Sequence, residues 1–339
     1  MKALKKVLIV IDIVVVLVLI LLYTPLFSSF KMKIIETTLS LREHEYLPYV
    51  IYDQEKVDSV YKNEYDTSID SKLNIEDIYS DTETFADIYD NKYDEDVLIR
   101  DYGNEEYKYL KIKVGKYDAH LVAIYHPEKI KLLNSPKFNT KNKSGYEKLT
   151  KMAKRHGAIV AINGGGFVDY GSGSDIPRGY VIKDGKIIWK ENNYKKNIIG
   201  FDKDNNLKLI YGNADDALNM GIRDGLTFSP FLIIDGVVQK LPSSAGGFKY
   251  AARSAIGQRK DGIVLFLVTE GYHGNGPTIQ NVQDTLIKYG AYNAANLDGG
   301  GSVSLVINGK LINNPLNTAG YKVNGGQGRN IVTAFGLVL

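Results

Sequence analysis

Two carboxylates and one guanidinium group stand beside glycine runs in the C-terminal two thirds of the chain, and a second guanidinium opens a strand-like run. Asp298 sits in ANLDGGGSVSL, behind a β-rich run and ahead of three glycines and the hydroxyl of Ser302. Glu270 has a similar place in FLVTEGYHGNGPT, and Asn163 precedes Gly164, Gly165 and Gly166 in VAINGGGF. Arg253 and Ser254 open a strand-like run in AARSAIG, and Arg329 follows glycines in GGQGRNIV. The repeated pattern is an apolar strand, a polar side chain, then glycines. Glycine lets the backbone approach a ligand and exposes amide N–H groups as anion donors. Arginine offers a fork to phosphate or carboxylate oxygens. Two carboxylates, two arginines and amide-rich loops suggest chemistry on a sugar, a phosphate or both. Each feature also has a plainer reading. A glycine loop can be only a tight turn, Asp298 can cap a turn, and Arg253 can pair with a distant carboxylate. Recurrence within one region favours a site.

Other chemistries find no support. DKDNN, from Asp202 to Asn206, imitates the start of a calcium loop. Its sixth position is Leu207 rather than Gly and its twelfth is Asn213 rather than Glu, so it reads as a hairpin turn. The histidines form no helix-face pair, and His273 reads as a turn residue. No G-x-S-x-G elbow, Walker loop or G-x-G-x-x-G is present. The chain has no Cys, which excludes disulfides, thiolate chemistry and Cys-based zinc sites. Basic residues are not interleaved with aromatics as in RNA-binding signatures, so a nucleic-acid partner is not expected.

The elements that must position these residues are legible as patterns. YKYLKIKVGKYDAHLVAIYHP alternates polar and apolar positions around a turn at Gly115. YVIKDGKIIW, GFDKDNNLKLIYG, LIIDGVVQ and SLVINGKLI carry hairpin signals. SGYEKLTKMAKRHG predicts a helix from near Ser144 that stops at Gly157, with a buried strand from Ala158 to Ile162 after it. TIQNVQDTLIKYGA predicts a second helix ending at Gly290, and NIVTAFGLVL a terminal strand. Many strands with two clear helices predict an α+β domain with a mostly antiparallel or mixed sheet over residues 107–339.

The rest of the chain is organised differently. Lys2, Lys5 and Lys6 precede an apolar run from Val7 to Tyr23, interrupted only by Asp12. A bilayer-spanning helix needs roughly 17–25 residues, so the run is just long enough. The lysines predict a cytoplasmic N-terminus, residues 1–6. A cleaved signal peptide is the alternative, but its apolar core is usually about 7–15 residues and no A-x-A site follows here. The expectation is an uncleaved transmembrane anchor over 7–23, with the rest of the chain outside the cell membrane. Residues 24–106 are rich in Asp, Glu, Tyr and Lys, and read as an acidic extracellular stalk or accessory segment. A calcium role for the acidic run is less favoured than a solvated spacer. The formal net charge is only +3, so with this acidic stretch set apart the remainder is basic and suits an anionic partner.

AINGGGF, FSPFLIIDG, RSAIG, NLDGGGSVSLVINGKLINNP and GRNIV, in this order, resemble the phosphodiester glycosidase family. That family includes the lysosomal uncovering enzyme and bacterial proteins linked to exopolysaccharides. The resemblance runs from about Ala119 to the C-terminus, and the aspartate-triglycine-serine block is its most specific element. After Val268 the family usually shows Asp-Gly-Arg, where this chain has Glu270-Gly271-Tyr272.

The resemblance implies hydrolysis of the C1–O bond between a sugar, of the N-acetylglucosamine-1-phosphodiester type, and a phosphodiester. The leaving group is then a phosphate monoester with a second pKa of about 6, which needs little protonation to depart. Charge neutralisation matters more than a strong general acid. On this reading Arg253 and Arg329 hold the phosphate, with Arg178 a secondary candidate. Asp298 or Glu270 activates water or stabilises the oxocarbenium-like sugar. Asn163 and Ser302 hydrogen-bond sugar or phosphate, and Gly165, Gly166, Gly299 and Gly300 line the ligand. No cofactor is required; the carboxylates and Asn163 could hold calcium or magnesium, but no spacing demands a metal. The implied partner is a phosphate-containing glycan or exopolysaccharide. Two rivals remain open: a non-catalytic glycan-binding scaffold, and a metal-dependent phosphodiesterase that cleaves P–O.

Overall fold

A computed structural model describes Val57 and residues 92–139, 146–168, 175–241 and 249–339. The expected tail, anchor and most of the acidic segment lie outside the described residues. The chain divides into two compact units, Met1–Glu64 and Tyr65–Leu339, and all the architecture below belongs to the second.

Every strand pairing among the described residues is antiparallel. Strands β1 (Tyr107–Val114) and β2 (Tyr117–Ile124) form the expected hairpin. They extend a seven-stranded sheet with β14 (Val264–Thr269), β13 (Ser254–Arg259), β15 (Ala291–Leu297), β11 (Phe231–Ile234) and β12 (Val237–Val238). A second sheet orders β17 (Lys310–Leu311), β16 (Leu305–Ile307), β5 (Ala158–Asn163), β19 (Thr333–Val338) and β3 (Ile130–Asn134). A third orders β7 (Lys186–Lys190), β6 (Tyr180–Lys183), β10 (Ile222–Thr227), β8 (Lys196–Asp202) and β9 (Leu207–Gly212).

Period-2 patterning explains the layering. One face of each sheet contributes to a shared core, with Val122, Phe266 and Leu297 from the first, Ile162 and Phe335 from the second, and Ile199, Phe201 and Leu226 from the third. The other face of each sheet is covered by a helix. Helix α4 (Ile279–Lys288) sets Val282 and Leu286 against the first sheet, α2 (Leu149–His156) sets Met152 and Ala153 against the second, and α3 (Ala214–Asn219) sets Ala214 and Ala217 against the third. The hairpin turns at Asp184-Gly185, Asp235-Gly236 and Asn308-Gly309 take positive φ at both residues, the conformation that matches strand twist.

Three expectations are corrected. Helix α2 starts at Leu149, because Glu147–Lys148 (β4) pair with Asn330–Ile331 (β18) and Lys148 is held extended. Its end at Gly157, with φ +72°, agrees with the glycine stop. Asn213 caps α3 through a reciprocal box with Asp216, so this helix is an element the strand-turn reading missed. Finally, the end of the acidic segment is not a solvated spacer. Lys92–Leu98 form a helix, α1, that buries Val97 in the core between α4 and the first sheet. Its Asp94 is buried and pairs with Arg259 at 2.8 Å. Gly290 makes this fit possible, since a side chain there would start 2.6 Å from the Arg259 guanidinium. DKDNN is the hairpin turn expected, with Asp202 Oδ1 accepting from the amides of Asp204 and Asn206.

Candidate active site

The glycine-rich segments meet at the ends of β5, β13, β14 and β15. Asn163, the last residue of β5, is the clamp. Its Nδ2 donates to the Asp298 carbonyl at 2.7 Å. Its Oδ1 accepts from Ser254 Oγ at 2.6 Å and from the Ser304 amide at 3.0 Å. The Asp298 amide in turn donates to the Gly164 carbonyl at 3.0 Å. Asn163 is fully buried, and its side chain thus ties together the ends of β5 and β15, the start of β13 and the turn into β16.

Arg253 lies between the other two loops. Its amide donates to Thr269 Oγ1 at 2.8 Å, and the Thr269 amide donates to its carbonyl at 2.9 Å. On the opposite side the Gly300 amide donates to the Ala252 carbonyl at 2.8 Å. One short segment therefore joins the residue ahead of Glu270 to the triglycine behind Asp298. A side chain on Gly299 would start 4.0 Å from Arg253 Nη1, and one on Gly301 would start 3.3 Å from Arg329 Cδ. Gly301 keeps the space into which Arg329 packs, while Gly299 is held small by the Ala252 carbonyl, 3.1 Å from where its side chain would start. Arg329 also lies over the Phe167 ring at 5.2 Å. Burial pulls the Arg253 guanidinium down to about 10.

The expected amide donors are only partly available. The Gly165 N–H is taken by Thr333 Oγ1 and the Gly300 N–H by Ala252, as strand-end packing requires. Gly164 and Gly165 are glycines because a side chain would collide with Leu226, Thr333 or the Thr227 carbonyl. Gly166 accepts the Arg178 amide through its carbonyl, and the Arg178 guanidinium pairs with Glu191 at 2.9 Å. Ser302 closes a short 3-10 turn, Gly300–Ser302, and is buried.

The two carboxylates differ in access. Asp298 is 3% exposed, whereas the Glu270 side chain is 26% exposed. Glu270 lines a cavity of about 640 Å³, walled also by Lys111, Lys116, Tyr117, Tyr272 and Asn314. Arg253 and Asp298 are not part of that wall. They stand behind it, across the Thr269–Arg253 pairing. Leu316, another wall residue, offers the carbonyl that crowds Gly301. Tyr272 packs its ring against Gly320.

Sequence reasoning missed two residues here. His120 Nε2 lies 3.2 Å from Glu270 Oε1, and His120 Nδ1 lies 2.8 Å from the Tyr109 hydroxyl. The Asn314 amide also donates to Glu270, at 3.0 Å. A signal for His120 did exist. In β2, Ile124 and Val122 are core residues, and two residues earlier the same phase carries a histidine instead of an apolar side chain. Among the described residues no three His, Asp or Glu side chains converge as a metal cage.

Comparison with known proteins agrees with this architecture. The phosphodiester glycosidase family matches residues 156–338, a span that contains Asn163, Arg253, Glu270, Asp298, Ser302 and Arg329. The SPbeta prophage-derived uncharacterized protein YomE of Bacillus subtilis (strain 168) is 32% identical over 194 residues. That alignment covers 52% of this chain but only 28% of that relative's length. The catalytic domain of zebrafish N-acetylglucosamine-1-phosphodiester alpha-N-acetylglucosaminidase, solved auto-inhibited by its pro-peptide, superposes with a TM-score of 0.58. The match covers 70% of this chain and 85% of that one at 21% identity, a likeness of fold. With the family match extending over more than half of its length, the chain belongs to the phosphodiester glycosidase family.

Proposed function

We propose that this protein hydrolyses the C1–O bond of sugar-1-phosphodiesters in a cell-surface or extracellular glycan. The observation that carries the reading is the placement of Glu270. It opens on the cavity while the residue before it is hydrogen-bonded to Arg253, whose neighbour Ala252 holds the triglycine behind Asp298. A carboxylate that reaches the cavity can take a proton from a water held there. Glu270 is therefore the base. It takes a proton from water as the water oxygen bonds to C1, and the C1–O electron pair leaves with the phosphate. Arg253 and Arg329, neither of which lines that cavity, act through their field on the charge that develops on the departing monoester. The buried Asp298 holds the field of the arginines and the sugar cation from behind. Lys111 and Lys116 at the rim suit a glycan that carries further phosphates. The apolar run after Lys2, Lys5 and Lys6 would anchor the chain in the cell membrane, with this domain outside.

The test is the product released from a defined N-acetylglucosamine-1-phosphodiester, with and without a chelator. Free sugar and a phosphate monoester in equal amounts, in both conditions, are expected. Sugar phosphate as product would instead mean P–O cleavage, and binding without turnover would mean a scaffold. Activity within twofold of wild type in both Asp298→Asn and Arg253→Ala would sink the residue assignment.

A further inference from the structure

Tyr109, His120 and Glu270 form a line of hydrogen bonds that ends in the cavity, and the sheet register builds it. In the β1–β2 pairing Tyr109 is opposite Val122 and Lys111 is opposite His120, so Tyr109 and His120 are diagonal neighbours on one face. In the β2–β14 pairing His120 is opposite Val268, and the Glu270 amide extends that ladder to the Asp118 carbonyl at 2.8 Å. Glu270 is therefore the diagonal neighbour of His120 on the other side. The Tyr109 and His120 rings lie nearly parallel, 13° apart in plane. His120 is 8% exposed, so both ring nitrogens look to the protein for partners.

We propose that Tyr109 and His120 are positioning residues for Glu270: the Tyr109 hydroxyl donates to Nδ1, which fixes the neutral imidazole with its proton on Nε2, and that N–H donates to the carboxylate. This rests on the reading of Glu270 as base. Burial and the nearby Glu270 charge raise the Tyr109 hydroxyl above its ordinary range, so it remains a donor. A tyrosine that donates to Nδ1 leaves that nitrogen no proton of its own, and the imidazole can then only be the Nε2–H tautomer. The opposite tautomer would turn a lone pair on Nε2 toward a carboxylate 3.2 Å away, which is repulsive. The charged groups around the ring are few and identifiable. They are Lys111 opposite it on β1, Asp118 two residues earlier on β2, and Glu270 beyond β14. Asp118 is itself paired with Lys113 at 2.6 Å. Asn314 presents a backbone amide from the loop after β17, so Glu270 is held from two directions. Family membership through 156–338 leaves Tyr109 and His120 outside the matched span, so the line joins the N-terminal hairpin to the site.

Histidine 15N shifts of the full chain, assigned with His120→Ala, read the tautomer directly and do not depend on turnover. At about pH 8, above the range in which an ordinary imidazole is charged, His120 is expected as the Nε2–H tautomer, and Tyr109→Phe is expected to mix in the Nδ1–H form. An Nδ1–H or doubly protonated ring in the wild type overturns the proposal. On a soluble N-acetylglucosamine-1-phosphodiester, Tyr109→Phe is expected to lower kcat about fivefold, the weight of one neutral hydrogen bond, with KM unchanged. His120→Gln, which keeps an N–H donor, is expected to retain more activity than His120→Ala. Turnover by the wild type with Tyr109→Phe and His120→Ala both within twofold also overturns it. No wild-type turnover together with the expected tautomers would remove the hydrolase reading and leave the positioning device standing.

Discussion

The Asn163 side chain donates to the backbone carbonyl of Asp298 at 2.7 Å, across 135 residues of sequence. That bond fixes the start of the triglycine turn relative to β5, and the same amide oxygen serves Ser254 and Ser304. Asn163→Ala leaves three buried polar partners unsatisfied, at about 1–3 kcal/mol for each. Asn163→Asp cannot donate to the Asp298 carbonyl and adds a buried charge. Both variants should melt well below wild type, with Asn163→Asp the less stable at neutral pH. Thermal unfolding at pH 7 checks this, and an unchanged Tm in Asn163→Ala would show that the clamp is dispensable.

The three glycines of the turn should not be equivalent. Gly300 has φ +60° and open space around it, so Gly300→Ala costs backbone strain of about 1 kcal/mol and no steric clash. Gly301→Ala presses on Arg329 Cδ and the Leu316 carbonyl, both 3.3 Å from the new atom. A shift of a few tenths of an ångström in the arginine should lower kcat/KM about tenfold, since misplacement near 1 Å can cost a hundredfold. Paired measurements of Tm and kcat/KM on the two variants separate the effects. Equal activity loss in both would deny the arginine its role.

Binding should be pH-dependent through Arg253. Burial lowers its guanidinium to about 10, and a bound phosphodiester anion favours the charged form. The ligand stays singly charged over this window, so its affinity should be constant below about pH 9 and fall as pH rises through about 10. The sign follows because the cation that the ligand needs is the form lost at high pH. In Arg253→Met the affinity should be weaker and lack that fall. Titration of a non-hydrolysable phosphodiester from pH 8 to 10.5 tests it, and a parallel pH curve in Arg253→Met would assign the fall to another group.

The acidic segment has a structural duty where it meets the domain. Asp94 and Arg259 are each buried and 2.8 Å apart. Removing one partner of a buried pair typically costs about 3–5 kcal/mol. Arg259 keeps Asp261 and the Tyr289 carbonyl as partners, which places Asp94→Ala at about 3 kcal/mol, the low end of that range. Chemical denaturation should show the lower midpoint with an unchanged slope. Loss below 0.5 kcal/mol would make α1 a surface decoration.

Much of the strand framework was legible because its signals are local. Asp184-Gly185 and Asn308-Gly309 are turns by their own backbone preferences, and Gly157 and Gly290 stop helices for the same reason. The α1 and α3 helices were less legible. The first is short and acidic, and gains its stability from burying Val97 and pairing Asp94 rather than from its own pattern. The second depends on an Asn213 cap that also fits a turn. The start of α2 depends on a strand partner at Asn330–Ile331, far away in sequence.

For the site, the residue types, their order at strand ends and the family to which they belong are legible in the chain alone. Those are properties of short segments, and they survive without knowledge of what lies opposite. Tertiary structure set the access and the partners of each group. It buried Asp298 and left Glu270 partly exposed, used the Gly165 and Gly300 amides in packing, and turned Asn163 into a clamp. It also brought Tyr109 and His120 to Glu270, 150 residues beyond the histidine. Such contacts depend on strand register, where a slip of one residue sends every side chain to the opposite face. Register is set by the whole packed sheet, so no single segment carries it.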